Sequence, residues 1–325
     1  MTSTRSLRAP SRSRTTELSI GTAVVVVAVA SVLPLFVHGI FILGVLTDSL
    51  VYVTLSLSYN VVVGYVGAFS FAQPAFLGVG AYTAAILCEH VSVSIIVQAL
   101  VAVACASLVA LAIAIPAFRL SHMTFAMVTL GFTLIIQLFV TNQVGLTGGP
   151  MCISGLSSLG LAAQQYYVFL IIAVLVGGFT RAIASSRVGR AYVAIREDEA
   201  MAVAAGINAT RYRYSAFILS AGIAGMLGAF YAHYLTVVCP SDMNEAYTTT
   251  LLVVLFLGGV GGFWGIVAAA FIFTAIPESL VSDPNIQLMI YGLALLICVM
   301  VMPTGMEGLV KRLRSTLRSR SASRA

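Results

Sequence analysis

The sequence predicts an all-α integral membrane protein of about ten transmembrane helices, with broken glycine-rich segments and both termini cytoplasmic. Three observations carry this expectation. Apolar residues make up 60% of the 325 residues and charged residues only 9%, against about 25% charged in an ordinary soluble domain. Ten apolar segments can be placed, each judged against the ~20 residues needed to cross ~30 Å of hydrocarbon. When these are threaded with the N-terminus inside, all 17 Lys and Arg residues fall on, or at the edge of, the inner side, as the positive-inside rule requires.

The mean hydropathy of +1.03 supports the first point, because a soluble surface needs polar cover that this chain does not have. The expected spans are 18–37, 42–63, 68–88, 93–117, 122–140, 164–182, 213–236, 248–259, 264–281 and 286–302. The eighth is short and requires the glycine run after it to be buried in protein, since irregular backbone cannot face lipid. The inner segments are then 1–17, 64–67, 118–121, 183–212, 260–263 and 303–325, with Arg181 and Arg213 at span edges. The outer segments hold Glu89, Asp242, Glu245 and Asp283 and no base. The Arg-rich start and the apolar run after it resemble a signal peptide, with Ala28-Val29-Ala30 as the cleavage site. The run continues through Val37, longer than an h-region, so 18–37 is read as a retained span.

The net charge of +6 does not indicate nucleic acid, because the bases sit beside membrane segments. Arg5, Arg8, Arg12 and Arg14 precede the first span, and Lys311, Arg312, Arg314, Arg318, Arg320 and Arg324 follow the last. Cys88, Cys105 and Cys298 lie in apolar runs as inert core residues. Cys152 and Cys239 fall in outer segments and are read as free thiols, with a disulfide as the alternative. No metal spacing occurs.

Enzymatic chemistry finds no support. The histidines (His38, His90, His122, His233) are scattered, and neither HExxH nor GxSxG is present. A P-loop needs a Lys to reach the nucleotide phosphates; the single Lys311 is followed by Arg312. The chain is expected to bind no cofactor itself, and ATP, if it drives the protein, is hydrolysed by another chain.

Two inner elements share G-x-x-G-x-F, Gly64 to Phe69 and Gly258 to Phe263; they are either a chance match or an internal repeat of the kind transporters use. The inner loop from Ser186 to Asn208 reads as two short helices. At 100° per residue Val188, Ala191, Tyr192 and Ile195 share one face, and Arg187, Arg190 and Glu197 the other. Asp198 is the expected N-cap of the second helix, which runs to Gly206. From pattern alone this is equally an amphipathic connector on the membrane surface.

The run from Ser186 to Asn208 resembles the cytoplasmic coupling loop of branched-chain amino acid ABC permeases of the LivM type. Further matching stretches follow in order: Leu57 to Ser70, Phe76 to Thr83, Ala126 to Leu130, Leu146 to Pro150, Leu257 to Gly265 and Met302 to Gly305. The resemblance covers roughly residues 40–310. It departs from the family pattern at Ala72-Gln73-Pro74, Met151-Cys152, Ile266 and Thr304, which bears on the substrate rather than the fold. Urea permeases share much of the pattern.

The resemblance implies a permease domain over 18–302, flanked by basic tails at 1–17 and 303–325, in a bacterial inner membrane. It implies a second permease subunit of the LivH type, two ATP-binding cassette subunits that bind the ATP, and a periplasmic or lipid-anchored substrate-binding protein. Arg187, Gly189, Arg190, Arg196, Glu197, Asp198, Glu199 and Gly206 are then the residues expected to couple to the ATPases. The expected pathway residues are Asn60, Gly64, Gly67, Gln73, Pro74, Gly78, Gly80, Tyr82, Thr147, Gly148, Gly149, Gly258, Gly261 and Trp264. Glycines there permit broken helices, whose freed backbone groups can meet a zwitterion, or they serve helix packing alone. Asp48, the clear acid within a span, is read as a relay or an interfacial residue. The rival reading is an autonomous secondary transporter or channel, which would normally carry intramembrane acids or histidines.

Overall fold

In a computed structural model of the chain the described residues are 39–280, except 92 and 121, together with 26–34 and the single positions 21, 289, 292 and 293. Of the first expected span, 26–34 is described and helical. Apart from positions 289, 292 and 293, the tenth span lies outside the described residues, as do both basic tails, His38, Cys298, Asp283 and the run Met302 to Gly305.

Apolar length makes the long helices, α1 (Ile40–Asn60), α2 (Gln73–Val91), α3 (Ile95–Ala117), α4 (His122–Asn142), α5 (Ala162–Ser185) and α8 (Ala209–Leu235). Between α5 and α8 lie the short helices α6 (Arg187–Glu197) and α7 (Glu199–Ala204); α9 (Glu245–Gly258) and α10 (Trp264–Leu280) follow. The strands β1 (Ile153–Ser154) and β2 (Val237–Val238) complete the fold. Among the described residues six helices are long and apolar enough to cross a membrane; they correspond to the second to seventh expected spans.

The boundary between the second and third expected spans differs most from expectation. The helix begun by α1 does not stop at residue 63 but continues as a π-helical turn, Val61–Val66, and ends at Gly67 with φ +81°. The next helix starts at Gln73 rather than at residue 68. The break between them is buried, and side chains satisfy its backbone. Tyr59 donates to the Ser70 carbonyl at 2.6 Å, Thr129 accepts from the Phe71 N–H at 3.0 Å, and Thr133 donates to the Phe71 carbonyl at 2.8 Å. Non-helical backbone at membrane depth survives on such terms only.

The core is organised around α8, which packs against α2 and α3, while α1 packs against α5 and α10. Close approach needs small residues. Ala102, Ala106, Ala110 and Ala114 of α3 form a fully buried stripe at i, i+4 spacing. On the facing helices a Cβ on Gly80 would lie 2.0 Å from the Gly225 carbonyl oxygen, and one on Gly228 2.0 Å from that of Leu77. These backbones touch, so no side chain fits between them. Arg119, Arg181, Arg187, Arg190, Arg196, Arg211 and Arg213 gather at one end of the bundle, here the basic end, because the helices alternate in direction.

At the opposite end Cys152 and Cys239 form a disulfide, which corrects the free-thiol expectation. The cause is the strand pairing. Ile153 faces Val238 and Ser154 faces Val237, and the same antiparallel register places Cys152 opposite Cys239, with a Cα–Cα separation of 4.5 Å. That is the spacing of a non-hydrogen-bonded pair, whose side chains lie closest.

Candidate functional site

The site at the basic end is built from α6 and α7. The Ser186 hydroxyl caps α6 by accepting from the N–H groups of Val188 and Gly189 at 3.1 and 3.3 Å. At Gly189 a Cβ would lie 2.3 Å from the Ile183 carbonyl oxygen, so the tight step from α5 into α6 requires glycine there. Ala191, Tyr192 and Ile195 are buried as expected, and Tyr192 bonds Ser215 at 2.9 Å. Val188, in the first turn, is exposed instead. Asp198, in extended conformation, separates the helices and caps α7 by accepting from Met201 N–H at 3.0 Å. Gly206, at φ +85°, ends that turn.

The charges at this bend do not all face the same way. Glu199 is held in an ion pair with Arg213 of α8 at 2.7 Å. Arg187, Arg190, Glu197 and Asp198 remain exposed. Arg196 is exposed as well, but its guanidinium reaches the bundle and donates to the carbonyl oxygen of Gly64, at the π-helical end of α1. Its aliphatic stem lies under Gly67, where a Cβ would be 3.1 Å away, and its guanidinium nitrogen lies beside Gly261.

Arg196 therefore touches both G-x-x-G-x-F elements, and those elements touch each other. The carboxamide of Asn60, which is fully buried, accepts from Gly261 N–H at 3.0 Å and donates to the Gly262 carbonyl at 3.1 Å. Gly64 lies one turn on from Asn60, and a Cβ there would sit 1.7 Å from the Asn60 carboxamide oxygen. The matched glycines Gly67 and Gly261 share a left-handed backbone, φ +81° and +83°, so the repeated motif marks two equivalent chain breaks. Gly258 and Gly265 cross at van der Waals contact, since a Cβ on Gly265 would lie 1.9 Å from the Gly258 carbonyl oxygen. Arg181 lies 5.5 Å from the centroid of the Phe263 ring and Trp264 packs edge-on against it. The Trp264 indole N–H is buried without a partner.

Gln73 and Pro74 open α2 immediately after the first break, where proline's missing N–H costs nothing. Gln73 donates to the Ser58 hydroxyl at 3.1 Å, and its carboxamide oxygen lies 3.2 Å from the Ser220 hydroxyl, whose one proton it shares with the Ser58 carbonyl. The two serines also exchange hydroxyl-to-carbonyl bonds at 2.8 and 2.9 Å. This buried network ties α1, α2 and α8 together. Ser220 escaped the sequence reading because a lone serine in an apolar span carries no local signal. Gly80 serves helix packing against Gly225, and Gly78 accommodates the buried Met243 side chain.

The remaining expected pathway residues lie at the opposite end. Thr147 ties down its turn by sharing its one hydroxyl proton between the carbonyls of Val140 and Gln143, at 2.6 and 2.7 Å, and Gly148 and Gly149 follow with positive φ. Tyr82 is buried with its hydroxyl unpartnered. Asp48 accepts from Tyr234 at 3.3 Å. His233 of α8, not foreseen as a site residue, bonds Gln98 at 2.6 Å and the Ser157 carbonyl at 2.7 Å. The expected residues thus divide between the two ends of the bundle.

A multi-span helical bundle with broken, interlocked glycine segments and a capped helix pair bonded to one of them has the build of a membrane permease. The chain belongs to the branched-chain amino acid transport system / permease component family, whose model matches residues 41–300. The high-affinity branched-chain amino acid transport system permease protein LivM of Salmonella typhimurium is 28% identical over 285 residues, 78% of this chain and 67% of that protein. LivM of Escherichia coli K12 matches equally. LivH of Salmonella typhimurium is 25% identical over 286 residues, covering 79% of this chain and 91% of the relative. No solved structure matches the chain.

Proposed function

We propose that the chain carries a branched-chain or closely related amino acid across a bacterial inner membrane as one permease half of an ABC importer. Its partners in this reading are a second permease subunit of the LivH type, two ATPase subunits that bind the ATP, and a periplasmic or lipid-anchored binding protein. The spans at 18–37 and 286–302 complete ten crossings, with both termini and the 183–212 segment cytoplasmic. The names of the relatives support the substrate class, and the gathering of bases at one end supports the orientation.

The single observation that carries the mechanism is the bond from Arg196 to Gly64. A push on the exposed face of α6 and α7, at Arg187, Arg190 and Glu197, is transmitted by Arg196 to the broken ends of α1 and α9. Packed elements of this kind have discrete arrangements rather than continuous compliance, so ATP binding by the partners biases one arrangement over the other.

The test uses the assembled transporter in proteoliposomes. Glu197→Arg should lower stimulated ATP turnover and leucine uptake together, with the binding protein's affinity for leucine unchanged and the subunits still co-purifying. Full transport by the double variant Glu197→Arg, Arg190→Glu would show that the loop is only a solvated connector.

A further inference from the structure

At the end opposite the bases, the turn Pro240–Met243 packs against α2 and α4. Beneath it lies a narrow recess of about 10 Å³, room for about one water-sized group, lined by Gly78 and Tyr82 of α2, Tyr231 of α8, Cys239 and Asp242 among others. The disulfide to Cys152 anchors one side. Met243, fully buried, packs against Gly78, one of the lining residues. Most of the lining is apolar, which leaves its polar groups conspicuous.

The Tyr82 side chain is only 4% exposed, and its hydroxyl has no hydrogen-bond partner. A buried polar group in that condition needs an explanation, because being unsatisfied costs ~1–3 kcal/mol. Asp242 lies close enough to act electrostatically on that hydroxyl. One Asp242 oxygen accepts from the Cys239 N–H at 2.8 Å. Burial raises the Asp242 carboxyl above the usual carboxylate range. The sequence has no Lys or Arg between 120 and 180 or between 214 and 310. Tyr231 of α8 completes this side of the lining.

We propose that this recess is a seat for a primary ammonium group, the α-ammonium of the transported amino acid as it enters the bundle. Tyr82 Oη and the Asp242 carboxylate accept its N–H bonds, and the Tyr231 ring supplies a cation–π face. The Asp242 charge excludes a carboxylate from the same position, so the seat orients a zwitterion ammonium first. Met243, unbranched and adaptable, is the side chain whose movement would admit the rest of the solute. This assignment rests on the permease reading for its substrate, but not for its chemistry.

The test is thermal unfolding of the purified full-length chain in detergent with four separate additions: L-leucine, methylammonium chloride, potassium chloride and sodium acetate. The expected result is a rise in midpoint with L-leucine and methylammonium that exceeds the shift with potassium or acetate several-fold. Tyr82→Phe and Asp242→Asn should each lose the methylammonium-specific rise. Both preserve the fold, since one removes a single oxygen and the other keeps an acceptor for Cys239 N–H; unchanged helicity and elution check this. Equal shifts with potassium and methylammonium, equal shifts with acetate, no shift in the native chain, or an undiminished shift in both variants would each overturn the assignment. Leucine uptake by the assembled transporter alongside any of these results would sink the seat while leaving the permease reading intact.

Discussion

Arg196 donates a hydrogen bond from its guanidinium to the carbonyl oxygen of Gly64, joining a short helix outside the bundle to the π-helical end of a spanning helix 132 residues earlier in the chain. That carbonyl is one of those a helix end leaves without an intrahelical partner. A permanent cation there also complements the negative end of the helix dipole. The link is therefore favourable to both elements, and it makes the position of one dependent on the other.

Removing the link should uncouple rather than unfold. Charge-assisted hydrogen bonds contribute ~1.5–3 kcal/mol, so Arg196→Ala should reduce leucine moved per ATP hydrolysed by roughly tenfold or more. Co-purification with the ATPase subunits should be retained. Arg196→Lys should restore part of the ratio, having charge without the planar fork. A wild-type ratio in the alanine variant would show that the bond is only a cap.

Asn60 and Gly64 should behave as one unit. Asn60→Ala orphans the Gly261 N–H and the Gly262 carbonyl inside the bundle, at a cost of ~1–3 kcal/mol for each group. Gly64→Ala drives a methyl into the Asn60 carboxamide. Because that clash is with Asn60 itself, the second substitution should cost less once the first is made. Thermal unfolding of the four proteins of the cycle measures the coupling; strict additivity would contradict the geometry.

The disulfide spans a sequence separation of 87 residues. Its loss should lower stability by ~2–5 kcal/mol. The Cys152→Ser, Cys239→Ser double variant should melt at the temperature of the reduced native chain and should not respond to dithiothreitol. Cys88 and Cys105, the other described cysteines, should not contribute to that response.

Asp242 should make stability depend on pH in a defined direction. Its carboxyl is raised by burial, so between the ordinary aspartate value of about 4 and its folded value the native state holds more protons than the unfolded one. Stability must then fall as pH rises through that window. Asp242→Asn removes the charge and should flatten this slope, gaining stability relative to the native protein at neutral pH and no advantage near pH ~3. An unchanged slope in the variant would assign the dependence to another group. A bound ammonium should reduce the slope in the native protein, since it stabilises the ionised form.

Local signals were legible in the sequence. The apolar runs at 93–117, 164–182 and 213–236 became α3, α5 and α8 with small boundary shifts, because apolar length suffices to specify a membrane helix. The α6–α7 pair was legible too, since Ser186 and Asp198 cap within three residues of themselves and caps are local chemistry. The doubled G-x-x-G-x-F pattern marked both chain breaks but not that they interlock. What only the tertiary structure decided is where each polar group finds its partner. Asn60 meets backbone 201 and 202 residues away, and Arg196 meets a carbonyl that is free only because α1 breaks there. Cys152 meets Cys239 through the register of two short strands. In an apolar chain the spans follow from hydrophobicity residue by residue. The few polar contacts are fixed by which backbone groups the breaks leave unpaired, and that is settled only when distant segments pack together.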